Sequence, residues 1–160
     1  MGRRSLLGTK GAIALGAMVV ATSAGAAIAY ATPGSLSVSV ILGRATVAED
    51  TKINTKAIKL QTREPYEIIT QTVTFQPGGT SGWHGHPGPV FVVVKTGAVT
   101  VYDASCVARR YTAGQGFTEG PEPSVVRNEG TEVSENLATL LVPVGQPVRI
   151  DAPSPCPGIA

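Results

Sequence analysis

Two histidines, two residues apart, are the side chains of this chain best suited to chemistry. The sequence contains two histidines, and both lie in the segment Trp83-His84-Gly85-His86. In an extended strand alternate side chains share a face, so both imidazoles would point the same way and could bind one metal ion. The spacing alone also fits a pair that faces solvent or packs in a turn.

The residues beside the histidines have less specific patterns. Trp83 could act as a platform for a bound ligand, although packing beneath a loop is the commoner role of a tryptophan. The glycine-rich run at residues 78–82 lacks the lysine and the following helix of a phosphate-binding loop. It is therefore predicted to be a turn between strands.

Composition favours strands over helices. The apolar residues are rich in Val, Ile and Ala, and the chain has 19 glycines and 12 prolines, a mixture suited to short strands joined by tight turns. Apart from Arg3, Arg4 and Lys10, basic and acidic residues nearly balance. Nucleic acids and anionic membrane surfaces select for clustered Lys and Arg, so neither is expected to be the main partner.

Short segments of strand-like pattern follow one another along the chain. Strands are predicted at residues 36–42, 66–75, 89–95, 98–102, 116–118, 124–128 and 137–144, with 52–60 left as irregular or strand. We expect residues 76–79 to end the second of these strands as a turn, and Thr96-Gly97 to form a hairpin between residues 89–95 and 98–102. Such short, regularly spaced strands favour a sandwich or a closed barrel.

The N-terminal segment has the layout of an export signal. A basic start is followed by an uncharged run at residues 11–29 and by Ala29-Tyr30-Ala31, whose small residues suit a signal peptidase. Residues 1–31 are thus predicted to be a signal peptide. An uncleaved, single-pass membrane anchor is the alternative, since about 20 apolar residues can span a bilayer. Arg3-Arg4 fits either a twin-arginine signal or the general secretory route.

The sequence has two cysteines, Cys106 and Cys156, in the part expected to be exported. A pair of cysteines in an oxidising compartment predicts one disulfide, with two buried free thiols as the alternative. Closing that loop would stabilise the fold by roughly 3–4 kcal/mol on the chain-entropy model. The bridge would also fasten the Pro-rich tail to the body of the domain.

The chain resembles the cupin superfamily, and small exported bacterial cupin proteins in particular. Gly78, His84, His86, position 90 and Gly97 have the spacing of the first cupin motif. The second motif is recognisable from residues 113–117 to 126–130, and the resemblance runs from about 43 to 156. It implies an all-β fold with a single small double-stranded β-helix, or jelly-roll, barrel, and it also implies cysteines near positions 106 and 156.

The resemblance implies a metal motif that is degenerate in this chain. Metal-binding cupins usually supply two histidines and a glutamate from the first motif and a histidine from the second. Here Val90 occupies the glutamate position and Ser124 lies near the missing histidine, so both are expected to line the barrel, together with Trp83. A replacement ligand would have to come from Glu119 or Glu122. Either would complete the 2-His-1-carboxylate set of non-haem iron oxygenases.

These observations predict four regions and two candidate functions. The regions are the segment 1–31, a linker or edge strand at 32–42, a cupin domain at 43–152 and a tail at 153–160. The first candidate is an exported protein that binds a small ligand, with or without one divalent transition metal, through His84 and His86. The second is a metal-dependent enzyme of the dioxygenase or isomerase type acting on a small organic substrate. A homodimer is expected from the resemblance only.

Overall fold

The computed structural model describes residues 1–2 and 31–159, which form twelve β-strands and no helix. This confirms the predicted all-β fold. The strands are β1 (Ser35–Val47), β2 (Lys52–Asn54), β3 (Lys59–Gln61), β4 (Tyr66–Thr80), β5 (His84–Gly85), β6 (Val90–Thr96), β7 (Ala98–Asp103), β8 (Ala108–Thr112), β9 (Gly116–Glu119), β10 (Ser124–Arg127), β11 (Ser134–Pro143) and β12 (Ile150–Asp151).

Ten of the strands pair in two antiparallel groups that together make a nearly closed barrel. One group has the order β1–β4–β11–β6–β9, and the other has the order β8–β7–β10–β5–β12. The end of β4 joins them, because Thr80 pairs with Arg127 of β10. Phe75, Val94, Val99 and Val126, which come from both groups, pack into one cluster, so the core lies between the two sheets.

Alternation of side chains explains why the sheet has a distinct inner face. Along β11 every second residue is buried, and the same pattern occurs in β6. Because β11 pairs with both β4 and β6, its buried residues meet the inward side chains of two neighbours. Ile69, Val90 and Leu140 are among the residues of this cluster. Burial of each such aliphatic side chain contributes about 1.5–3 kcal/mol.

The predicted end of the second strand differs from the structure. The expected turn at residues 76–79 is wrong, because β4 continues through it to Thr80. Here the strand passes from one sheet to the other: Gly78 N donates to Asn128 O, and Asn128 N donates to Gly79 O. The positive φ of Gly78, 77°, accommodates the bend. The expected division at 42/43 falls within the continuous strand β1.

The hairpin predicted at Thr96-Gly97 is also wrong. β6 pairs with β11 and β9, whereas β7 pairs with β10 and β8. Gly97, with a φ of 71°, turns the chain from one sheet into the other instead of folding it back on itself. The ambiguous segment at residues 52–60 contains two short strands, β2 and β3, which pair with each other.

A disulfide joins Cys106 to Cys156, as the sequence predicts. Its 50-residue separation ties the C-terminal tail to the turn after β7. Cys156 packs in a buried cluster with Trp83, Val125 and Ala152. The bridge is typical of proteins that fold in an oxidising compartment.

The predicted signal or anchor segment lies almost wholly outside the described residues, which resume at Ala31. Ala31 forms an isolated antiparallel bridge with Pro153. In the described ranges, 1–2 and 31–159, we find no helix with the length and apolarity needed to cross a membrane.

Replacing both cysteines by serine is expected to lower the free energy of unfolding by about 4 kcal/mol, because the unfolded chain loses the constraint of a 50-residue loop. Urea denaturation of the oxidised parent and of the double variant measures the difference. A matched control is the parent after reduction, which should approach the stability of the variant. Equal stability of all three would contradict a structural role for the bridge.

Candidate metal centre

A cavity of about 390 Å³ lies inside the barrel. Its walls include inward residues of β1, β4, β11, β6 and β9, and its polar lining includes both histidines. The apolar part of the lining is formed by Val73, Phe75, Val90, Val92, Phe117, Val126, Ala138, Leu140 and Val148. The histidines therefore face an internal space.

The local backbone holds both imidazoles on the inner face of the barrel. His84 and Gly85 form β5, which pairs with Ser124 of β10 on one side and with β12 on the other. A Cβ at Gly85 would lie 2.6 Å from the carbonyl oxygen of Pro121, so this position needs glycine. His84 and His86 are only 5% and 6% exposed. Their ring centroids lie 4.8 Å apart in an edge-on arrangement.

Backbone carbonyls fix the protonation pattern of the two rings. His84 Nδ1 lies 2.9 Å from Gly82 O, and His86 Nδ1 lies 2.7 Å from Val148 O. A carbonyl oxygen only accepts hydrogen bonds, so each Nδ1 carries the proton and donates. In the neutral imidazole the lone pair is then on Nε2. Metal-bound histidines in proteins are usually oriented in this way.

Glu119 provides the third candidate ligand. It ends β9 opposite Val90, in the paired register of β6 and β9. Its Oε1 accepts a hydrogen bond from Ser124 Oγ at 2.8 Å, and its Oε2 lies 3.9 Å from His86 Nε2. One ligand atom each from His84, His86 and Glu119 lie within 4.8 Å of one another.

This donor set fits a divalent transition metal. At bond lengths of about 2.0–2.2 Å, neighbouring ligand atoms of one metal are roughly 3–3.5 Å apart. The three groups would therefore need to approach by about 1 Å, which side-chain rotation can supply. Two neutral imidazoles and one carboxylate suit zinc, iron, nickel or copper better than calcium or magnesium. His84, His86 and Glu119 would hold the ion.

The other predicted site residues lie in different surroundings. Val90 is among the residues that line the cavity. Ser124 is outside the lining and instead holds Glu119 through its hydroxyl. Glu122 is exposed and does not belong to the group of ligand atoms, so the structure favours Glu119 of the two candidates.

The placement of Trp83 as a lining residue is wrong. Its side chain is 0% exposed and packs with Val125, Ala152 and Cys156. Its indole Nε1 donates to Ile159 O at 2.8 Å. Trp83 directly precedes β5, and these contacts place its side chain away from the cavity that His84 lines. It anchors the tail beneath the site.

Sequence reasoning missed several polar residues of the cavity lining, among them Arg149, Asp151 and Asn136. Arg149 Nε donates to the carboxylate of Asp151, which pairs with His84 in the register of β12 and β5. The alternation of β11 could have indicated that Asn136 faces inward. No local pattern marks Arg149, which follows an irregular loop.

Burial lowers the pKa of His84 below its ordinary value. The negative charge of Glu119 and the hydrogen bond to Gly82 O act in the opposite direction, whereas the charges of Arg149 and His86 add to the lowering. The net effect favours the neutral ring, which is the form that can bind a metal.

Comparisons with known proteins give structural neighbours only. No protein-family model matches the sequence, and no curated protein matches it. A cupin domain from Bordetella pertussis has 18% identity and a TM-score of 0.46, covering 69% of this chain and 95% of the other. The Cupin_2 domain of an XRE family transcriptional regulator from Enterobacter cloacae has 15% identity and a TM-score of 0.46, covering 66% and 96%.

An enzyme also occurs among the neighbours. The polyketide cyclase RemF from Streptomyces resistomycificus has 13% identity and a TM-score of 0.46, and the match covers 55% of this chain and 64% of the cyclase. Two of these neighbours are cupin domains, the family that the sequence resembles. Their identities and TM-scores are low, so their activities are not transferred to this chain.

Glu119→Gln is expected to weaken metal binding at least tenfold, about 1.4 kcal/mol. The amide can still accept the Ser124 hydrogen bond but no longer offers a charged oxygen. Isothermal titration with Zn²⁺ measures the change, and Glu122→Gln, which alters an exposed carboxylate nearby, is the matched control. Equal affinities of all three proteins would exclude Glu119 as a ligand.

The metal-free protein is expected to lose stability as the pH falls below about 6.5. There the unfolded chain protonates its histidines, whereas the lowered pKa of His84 keeps that ring neutral in the folded state. The unfolded state then binds more protons, so lowering the pH favours unfolding. Urea denaturation from about pH 7.5 to 5.5 measures the slope. His84→Gln should reduce that slope, and an unchanged slope would contradict this role for His84.

Proposed function

We propose that this protein is an exported cupin-type barrel that binds one divalent transition metal through His84, His86 and Glu119, and a small organic ligand beside it. The observation that carries the proposal is the convergence of these three buried groups in one internal cavity. Buried ionisable groups are costly unless they are paired or bind a metal. Their presence on the inner face therefore supports a site.

The orientation of the rings supports metal binding over simple packing. Each Nδ1 proton is satisfied by a carbonyl, while each Nε2 is left available as a donor atom. The Oε1 atom of Glu119 is held by Ser124, and its Oε2 atom approaches His86 Nε2. The supporting hydrogen bonds and the free lone pairs thus have the arrangement of a metal site with its outer shell.

The cavity supports a small organic ligand as the second occupant. Its volume of about 390 Å³ is within the usual range for small-molecule sites, about 300–1,000 Å³. Apolar atoms provide most of its lining surface, although ten of the 21 lining residues are polar or charged. Such a lining favours an apolar molecule whose orientation is set by a small number of polar contacts.

Catalysis by a metal-dependent enzyme of the dioxygenase or isomerase type is the second candidate function. The observation favouring it is that the chain offers three ligands on one side of the cavity, so other coordination positions would face the ligand space. Two histidines and one carboxylate with open positions occur in non-haem Fe²⁺ oxygenases, and a related set occurs in catalytic zinc sites. A bound metal would polarise or activate a ligand in that space, while Glu119 and the imidazoles would hold the metal.

Export is part of the proposal. The disulfide supports an oxidising compartment, and the predicted signal at residues 1–31 supports secretion or retention in the cell envelope, with a single-pass anchor as the alternative. Contact with a membrane is proposed only through an uncleaved N-terminal segment. The homodimer and the absence of nucleic acid as a partner stay predictions.

Elemental analysis of the exported protein, purified without a histidine tag and reconstituted with Zn²⁺, Fe²⁺, Mn²⁺, Ni²⁺ and Cu²⁺ in turn, tests the proposal. We expect about one equivalent of at least one metal, and less than about a tenth for His84→Ala or His86→Ala, because only two of the three protein ligands remain. Both variants should stay folded, losing less than about 3 kcal/mol. Absence of metal from the parent under every condition would contradict the proposal.

A further inference from the structure

The charged residues of the cavity and Asn136 lie at different places along the strands. Its charged lining residues are Glu119, Arg149 and Asp151. Glu119 approaches His86, Asp151 pairs with His84, and Arg149 is bonded to Asp151. The charge of the described lining is therefore concentrated around the two histidines.

Asn136 lies far from that group along the sheet. Glu119 is opposite Val90, and Val90 is opposite Leu140 of β11. Asn136 is four residues before Leu140 in the same strand, a distance of roughly 13 Å at about 3.3 Å per residue. Between them, Val92 and Ala138 provide an apolar wall.

Asn136 presents a hydrogen-bonding group that the described part of the chain does not satisfy. The residue lines the cavity and is 2% exposed. Its Nδ2 donates to Val73 O over a long 3.4 Å, and its Oδ1 has no donor among the described residues. A buried acceptor without a partner destabilises the folded protein. A ligand that supplies an O–H or N–H group would remove that destabilisation.

The neighbours of Asn136 on the inner face are also uncharged. Gln71 and Ser39 line the same cavity, and Ser39 pairs with Val73, the residue that also pairs with Asn136. A charged group would find no opposite charge there, whereas an uncharged hydroxyl or amide would find amide and hydroxyl partners. The end of the cavity around Asn136 therefore favours a neutral, polar group of the ligand.

The end of the cavity near His84, His86 and Glu119 favours a ligand group with a single negative charge. Arg149 and Asp151 neutralise each other, and Glu119 offsets one charge of a divalent ion. The net charge of the divalent ion and these three residues is close to +1 when the histidines are neutral. A monoanionic oxygen group, such as a carboxylate, would complete the balance and occupy an open position of the metal.

We propose that the ligand of this cavity is a small, elongated monocarboxylate with an apolar body and an uncharged hydrogen-bond donor at its far end, which pairs with Asn136 Oδ1. The inference rests on the proposed function, because the metal receives the carboxylate. It adds a specificity residue, Asn136, and a ligand class. The donor at the far end distinguishes this class from simple fatty acids.

Binding of paired acids to the metal-loaded protein tests the inference. The probes are ω-hydroxy acids from hexanoate to decanoate and the unsubstituted acids of the same lengths, measured by isothermal titration. We expect at least one ω-hydroxy acid to bind tenfold or more tightly than its unsubstituted partner, because the hydroxyl satisfies Asn136 Oδ1. Asn136→Leu should bring that ratio to one or below, whereas Glu122→Gln should leave it unchanged.

The parent protein alone can overturn the inference, so the test does not depend on the folding of Asn136→Leu. A ratio near one at every length, or no binding of any acid, would exclude the proposed ligand class. Metal content measured on the same samples keeps the two proposals distinct. Normal metal loading without a hydroxyl preference rejects the role of Asn136 only. Absent metal rejects the metal centre and, with it, the proposed binding of a carboxylate there.

Discussion

The site depends on two hydrogen bonds from imidazole nitrogens to the backbone. Gly82 O and Val148 O each accept from an Nδ1 atom, and so they set both the orientation and the tautomer of His84 and His86. Each acceptor belongs to a different loop, and the strands around β5 hold the two loops in register. The barrel is thus a frame that presents two Nε2 lone pairs to one cavity.

The C-terminal tail supports the same frame from the opposite face of β5. Trp83 points away from the cavity and is covered by residues that the disulfide holds in place. Its indole bond to Ile159 O extends this contact to the end of the described chain. Trp83 and His84 are adjacent residues whose side chains lie on opposite sides of this segment. The packing of Trp83 and the hydrogen bonds of the two histidines therefore hold the same short segment in place.

The sequence predicted those parts of the structure that depend on local patterns. His84 and His86 share a face because strand alternation requires it, and the cysteine pair forms a bridge as the compartment argument indicated. Which strands pair with each other depends on the whole fold and not on a local pattern. The Thr96-Gly97 segment has the composition of a hairpin turn, yet it connects different sheets. The choice of Glu119 over Glu122 likewise depends on the register of β9 against β6. The role of Asn136 required the three-dimensional cavity.

The central claim is that His84, His86 and Glu119 act together as the ligands of one ion. X-ray absorption spectroscopy of the Zn²⁺-loaded, full-length protein tests it most directly, because imidazole rings and carboxylate oxygens give distinct scattering around the metal. The account predicts two imidazoles and at least one oxygen ligand, at about 2.0–2.2 Å. A spectrum with one imidazole or none would contradict it.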